Sequence, residues 1–101
     1  MKTNQTYPHV TIIILNWNQE KDSLECLNSV SRINYPAFSI VVVDNGSTDG
    51  SPDSIEKWSH LNSPVKLIRN SKNRGFVAGS NQAMRFALTT LTNYMFLLNL
   101  A

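Results

Sequence analysis

Val10 to Leu15 reads VTIIIL, an unbroken apolar and β-branched run of strand length. From Glu20 to Ile33 the pattern changes. Leu24, Leu27, Val30 and Ile33 recur every three residues, which predicts a helix with one apolar face, ended by Tyr35-Pro36. Phe38 to Val43 (FSIVVV) predicts a second strand. Ser51-Pro52-Asp53 reads as a helix start with a serine cap, proline in the first position and an acid at the positive end of the dipole; that helix is expected to run to about Leu61. Val65 to Ile68 predicts a third strand. Phe76 to Leu91 predicts a helix with Phe76, Ala83, Met84, Ala87, Leu88 and Leu91 on one side, and Tyr94 to Leu98 a fourth strand.

The order is β-α-β-α-β-α-β, without an internal repeat or low-complexity linker. The first two strands are apolar throughout rather than alternating, as strands covered on both faces are. Right-handed crossovers then give an α/β fold: a parallel sheet of about four strands with helices on both faces.

Composition agrees with one globular unit or part of a larger one. The chain has 101 residues, 42% hydrophobic and 16% charged, which argues against disorder, collagen or coiled coil. Its single cysteine, Cys26, excludes an internal disulfide and reads as a small hydrophobe on the first helix; His9 and His60 form no metal-ligand pair. No apolar run is long enough to span a bilayer, and MKTNQTYPHV lacks the apolar stretch of a secretory signal. A cytoplasmic location is expected, with the inner membrane face as its variant.

Charge divides the chain. Residues 1–56 net −4, and residues 57–101 net +6 with no acid at all. A basic second half suits an anionic ligand or a solvated surface, and six cations over 45 residues are too sparse to indicate nucleic acid.

In a parallel sheet the carboxyl ends of all strands share one edge, where ligands bind near the reversal of strand order. The segments after the strands are Asn16-Trp17-Asn18-Gln19, Asp44-Asn45-Gly46-Ser47-Thr48-Asp49-Gly50, Arg69 to Gly75, and Asn99. They bring amides, hydroxyls, carboxylates and cations to one rim. The opposite rim receives plainer turns at Asn34-Tyr35-Pro36 and Asn62-Ser63-Pro64. Asp44 directly follows three valines, so its carboxylate is expected at a strand tip, able to accept a hydrogen bond from a base imide or a ribose hydroxyl. The same residues also suit a turn at 44–46 and a helix cap at Asp49 or Ser51. Gly75 and Gly79 permit close backbone approach, and the helix start beside them offers free N–H groups to a phosphate. Trp17 reads as packing, and Asn81 and Gln82 as surface. The dinucleotide fingerprint G-x-G-x-x-G, the P-loop and the serine nucleophile elbow are absent.

Together VTIIILNWN (10–18), IVVVDNGSTDG (40–50) and NRGFVAGSN (73–81) resemble the amino-terminal half of family 2 glycosyltransferases, most of all its rhamnosyltransferase-type branch, over Val10 to Asn99. The resemblance implies a GT-A fold, a nucleotide diphosphate-sugar donor and a saccharide or lipid-linked acceptor, as in polysaccharide biosynthesis. It implies that Asp44, with Asn45 beside it, contacts the nucleobase. Leu15, Asn16 and Asn18 would line the nucleotide pocket, and Asn73, Arg74, Gly75 and Gly79 would lie beside the nucleotide.

The family's fourth strand runs into an Asp-x-Asp type motif that holds Mg²⁺ or Mn²⁺ on the diphosphate; here Asn99 is followed by Leu100 and Ala101. The resemblance therefore implies residues 1–9 as an N-terminal extension and 10–101 as the nucleotide-sugar-binding part, stopping before the metal motif. No metal ligand and no catalytic base are assigned in this chain, and no sugar transfer is expected from it alone. The exposed last strand suggests a homodimer through that edge. A non-catalytic nucleotide-binding module and a doubly wound regulatory domain remain the alternative functions.

Overall fold

The computed structural model describes residues 7–100. The elements follow the expected order: β1 (Val10–Asn16), α1 (Glu20–Val30), β2 (Phe38–Asn45), α2 (Ser51–Leu61), β3 (Val65–Asn70), α3 (Phe76–Leu88) and β4 (Tyr94–Leu98). All strands are parallel, in the order β3-β2-β1-β4. The chain winds outward from β1 through β2 to β3, then returns to place β4 on the other side of β1. The reversal of order thus lies between β1 and β4.

Two layers of different size cover the sheet. On one face Ile12 and Ile14 of β1 and Ile40 and Val42 of β2 pack with Leu27 and Val30 of α1 and Ile55 and Trp58 of α2. Trp58 keeps its polar edge satisfied by donating Nε1–H to Asn28 Oδ1 at 2.8 Å. Cys26 packs at the margin of this cluster, where burial pushes its thiol pKa up, in keeping with a small hydrophobe rather than a nucleophile. On the other face α3 alone covers Ile13, Val41 and Val43, through the fully buried Ala83 and Ala87.

The strands run further than their apolar stretches. β1 reaches Asn16, β2 reaches Asn45 and β3 reaches Asn70, because the ladders continue through Asn16↔Asp44, Asp44↔Arg69 and Asn45↔Asn70. Hydrophobicity marks where strands are covered; backbone pairing continues for as long as neighbours stay in register.

α2 ends at Leu61 as expected, but α1 and α3 are shorter than the periodicity suggested. α1 closes at Val30 in tighter bonds, Arg32 N–H to Ser29 O and Ile33 N–H to Val30 O, and Ile33 is exposed. α3 closes at Leu88, where the Thr89 and Thr90 hydroxyls bond back to the Phe86 and Ala87 carbonyls, leaving Leu91 93% exposed. The buried stripe of α3 is Gly79, Ser80, Ala83 and Ala87, while Phe76 and Leu88 face outward. Small residues let the helix lie close to β1 and β2; the larger ones have no room there. In α2 the cap position belongs to Gly50 in a left-handed conformation. Ser51, expected as the cap, is the first helical residue.

Of the expected extension at 1–9, residues 1–6 lie outside the described residues, as does Ala101. His9 is tied to the sheet: its N–H donates to Asn93 Oδ1, and its carbonyl accepts from the Asn93 N–H, both at 2.8 Å.

Candidate functional site

The two-residue alternation of each strand carries past the core to the carboxyl edge. On β1, Asn16 follows Ile12 and Ile14 on the α1/α2 face; on β2, Asp44 follows Ile40 and Val42 there. Leu15 and Asn45 fall on the α3 face. Asp44 and Asn45, adjacent in sequence, therefore enter different clusters.

Asn16 is the centre of the first cluster and is fully buried. Its Nδ2 lies 2.7 Å from Asp44 Oδ1, 2.8 Å from Ser51 Oγ and 3.1 Å from Ser47 Oγ. Its Oδ1 accepts from Ser23 Oγ at 2.6 Å. The Asp44 carboxylate also accepts from the Ser47 hydroxyl at 2.6 Å and the Ser47 N–H at 3.1 Å. Asn18, the one non-glycine residue with positive φ among the described residues, closes the loop above. It donates its N–H to Ser47 Oγ, and its Oδ1 accepts from the Thr48 and Asp49 N–H groups. Burial would raise the pKa of Asp49. Hydrogen bonds from the Ser51 hydroxyl and N–H and from the Glu20 N–H outweigh it, holding that carboxyl below its ordinary value.

Asn45 is the centre of the second cluster. Its Oδ1 accepts from Asn70 Nδ2 at 3.0 Å and from the Arg74 N–H at 3.2 Å, and its Nδ2 donates to the Gly75 carbonyl at 3.1 Å. Two glycines make this closeness possible. A Cβ on Gly46 would stand 2.6 Å from the Lys72 backbone and 2.8 Å from Asn73 N; one on Gly79 would stand 3.1 Å from Asn45 Nδ2 and 3.2 Å from Leu15 Cδ2.

Between the β1, β2 and β4 ends and the start of α3 lies a cavity of about 200 Å³. Five expected residues line it: Leu15, Asn16, Asn45, Asn73 and Gly75. The other four stand around it. Asn18 holds the loop above, Arg74 is fixed through its N–H to Asn45, and Gly79 packs behind Leu15 and Asn45. Asp44 stands at the strand tip as expected, yet the residue is only 2% exposed and its carboxylate is turned into the protein by Asn16 and Ser47. Trp17, expected in the packing, is half exposed and lines the cavity with Gln19, Phe76 and Asn99. Its position between Asn16 and Asn18, straight after a strand end, was the available signal. Larger hollows occur elsewhere, and two of them, about 610 and 520 Å³, lie toward the amino ends of the strands against incompletely covered sheet, away from both polar clusters.

The cavity is suited to an anion. α3 begins after Gly75 with no side-chain cap and no acid in its first turn, so its first N–H groups face the loop 73–75 unneutralised. Arg69 is held by Asp53 at 2.9 Å, whereas Lys72 and Arg74 make no ion pair among the described residues. The donor set does not fit a metal ion. Among the described residues no three His, Cys, Asp or Glu side chains lie together, and the rim carboxylates Asp44 and Asp49 are taken up by internal hydrogen bonds.

The comparisons agree on one family. The sequence model of Glycosyl transferase family 2 matches residues 11–99. Glycosyltransferase AglE of Haloferax volcanii is 31% identical over 78 residues, covering 75% of this chain and 26% of its own length. The mannosyltransferase PcManGT of Pyrobaculum calidifontis, solved with GDP-Man and Mn²⁺, superposes with a TM-score of 0.74 at 31% identity, over 81% of this chain and 25% of that one. Residues 1–349 of S. aureus TarS, solved with UDP-GlcNAc, superpose with a TM-score of 0.77 at 25% identity, over 91% and 26%. The chain thus spans about a quarter of the length of these relatives. No helix among the described residues is long and apolar enough to cross a membrane. With the four-stranded parallel sheet, the rim cavity and a match along nearly its whole length, this chain belongs to glycosyltransferase family 2 and has the α/β fold of its GT-A-type structural neighbours.

Proposed function

We propose that the rim cavity takes the nucleotide part of a nucleotide diphosphate-sugar, and that residues 10–101 supply donor binding to a transferase acting on a saccharide or lipid-linked acceptor. The observation that carries this reading is the meeting of the cavity with the uncapped start of α3. A diphosphate finds free N–H groups there, and Lys72 and Arg74 belong to the loop that leads into the helix. Relatives solved with GDP-Man and UDP-GlcNAc support the same ligand class. In this reading Asn45, Asn73, Gly75 and Leu15 touch the nucleotide, and Asp44, Asn16 and Asn18 act on it by holding the 44–50 loop in place. The divalent metal implied by the family would need ligands from outside the described residues.

Calorimetric titration with UDP, dTDP and GDP tests this. Saturable binding of a nucleoside diphosphate is expected, weakened on the order of tenfold by Asn45→Ala, as for loss of about 1.4 kcal/mol of polar contact. Absence of binding by all three would overturn it. The finer reading, the rhamnosyltransferase-type branch, rests on residues 10–18, 40–50 and 73–81 together; preference for a dTDP-rhamnose donor over UDP- and GDP-sugars would support it.

The partner reading for the sheet edge is a second copy of the chain. β4 is an outer strand, Tyr94 and Phe96 are 60% and 59% exposed, and no charged residue follows Arg85. Light scattering across a concentration series should show dimers, and a clean monomer at high concentration would exclude this pairing.

A further inference from the structure

We infer that Gln82, on the second turn of α3 and outside the cavity lining, is a positioning residue for the diphosphate-binding segment Arg74-Gly75. It acts through Asn70 and Asn45, and the inference rests on the cavity being the nucleotide site.

Gln82 and Asn70 form a reciprocal amide pair. Asn70 Nδ2 donates to Gln82 Oε1 at 2.6 Å, and Gln82 Nε2 donates to Asn70 Oδ1 at 2.9 Å. Turning either amide over would set donor against donor and acceptor against acceptor, so the pair fixes both orientations. The second hydrogen of Asn70 Nδ2 then has one direction left, and it meets Asn45 Oδ1 at 3.0 Å. That contact orients Asn45 in turn, with Oδ1 on the Arg74 N–H and Nδ2 on the Gly75 carbonyl. Asn45 is 3% exposed, so water does not compete for these bonds. The relay crosses three elements, α3, β3 and β2, and returns to the turn that opens α3. The helix thereby holds its own N-terminal turn through two strands. A reversed Asn45 amide would put its NH₂ against the Arg74 N–H and its oxygen against the Gly75 carbonyl, driving the turn off the cavity wall.

Two variants test this in the 101-residue chain. Gln82→Leu removes both bonds to Asn70; Gln82→Glu keeps an acceptor for Asn70 Nδ2 and loses the donor to Asn70 Oδ1. The first readout needs no ligand: hydrogen-exchange protection of the Arg74 amide, against the Thr48 and Asp49 amides held by Asn18. Gln82→Leu should lower Arg74 protection about tenfold while Thr48 and Asp49 keep theirs, with Gln82→Glu in between. A purely structural role would lower all three together. The second readout is affinity: Gln82→Leu should weaken a nucleoside diphosphate about fivefold and the matching nucleoside less than twofold. Unchanged Arg74 protection in both variants would overturn the inference, as would equal losses at all three amides. Failure of the wild-type chain to bind any nucleotide would overturn the nucleotide reading and the diphosphate role with it, while the exchange data would still decide the relay itself.

Discussion

The two polar clusters at the rim start from adjacent residues and differ in what they hold. The Asp44 cluster, on the α1/α2 face, is closed: a buried carboxylate, a buried amide and three serine hydroxyls satisfy one another and lock the 44–50 loop onto β1, α1 and α2. The Asn45 cluster, on the α3 face, uses neutral amides and grips backbone, the Arg74 N–H and the Gly75 carbonyl, whose other side is the cavity. A charge in a closed cluster costs much to disturb, because its partners cannot turn to water. A neutral clamp costs less to lose, and what it loses is the shape of the site. The comparison predicts that stability lies mainly with Asp44, and that ligand affinity depends on Asn45 at least as much as on Asp44.

Gly46 joins the clusters, and Gly46→Ala should have the largest effect. Its φ of +75° disfavours any side chain, and the added Cβ would collide with the Lys72 and Asn73 backbone. A loss of about 3 kcal/mol or more in urea unfolding is expected, or failure to fold. Near-wild-type stability would show that the two loops do not meet there.

Asp44→Ala follows, with about 2–3 kcal/mol of stability lost because Asn16 and Ser47 are left without their charged acceptor. Nucleotide affinity should fall about tenfold as the loop loosens. Equal affinity in wild type and variant would remove Asp44 from the site altogether.

Asn45→Ala should cost less stability, about 1 kcal/mol, with at least as large a loss of affinity. If it destabilises the chain more than Asp44→Ala, the comparison is reversed.

The smallest effect belongs to Asp49. Its folded pKa lies below its unfolded value, so its contribution is present above the ordinary carboxyl value and is lost as pH falls through the folded one. The stability difference between wild type and Asp49→Asn should be flat at neutral pH and shrink only on acidification below about pH 4. A difference that grows on acidification would contradict the assignment.

The order of elements, the parallel sheet and the gathering of polar residues at one rim were legible in the sequence, because strand length, apolar runs and helix breaks are local and βαβ handedness leaves few arrangements. So was the family, through three segments in order. Helix ends were less legible: Ile33 and Leu91 fit the period, but side-chain and tight backbone bonds close the helices before them. Least legible was the division of labour between Asp44 and Asn45. The sequence places both after the same run of valines and favours the carboxylate as the ligand group. Which of them faces the closed cluster and which the cavity depends on strand parity relative to α1, α2 and α3, and on Asn16 lying opposite Asp44 in the ladder. The role of Gln82 depends on α3 bringing it beside Asn70, twelve residues away in sequence. Patterns along the chain determined which residues reach the rim. Only packing across the sheet decided which are turned inward, because a polar group's task is set by its partners, and these partners come from other elements.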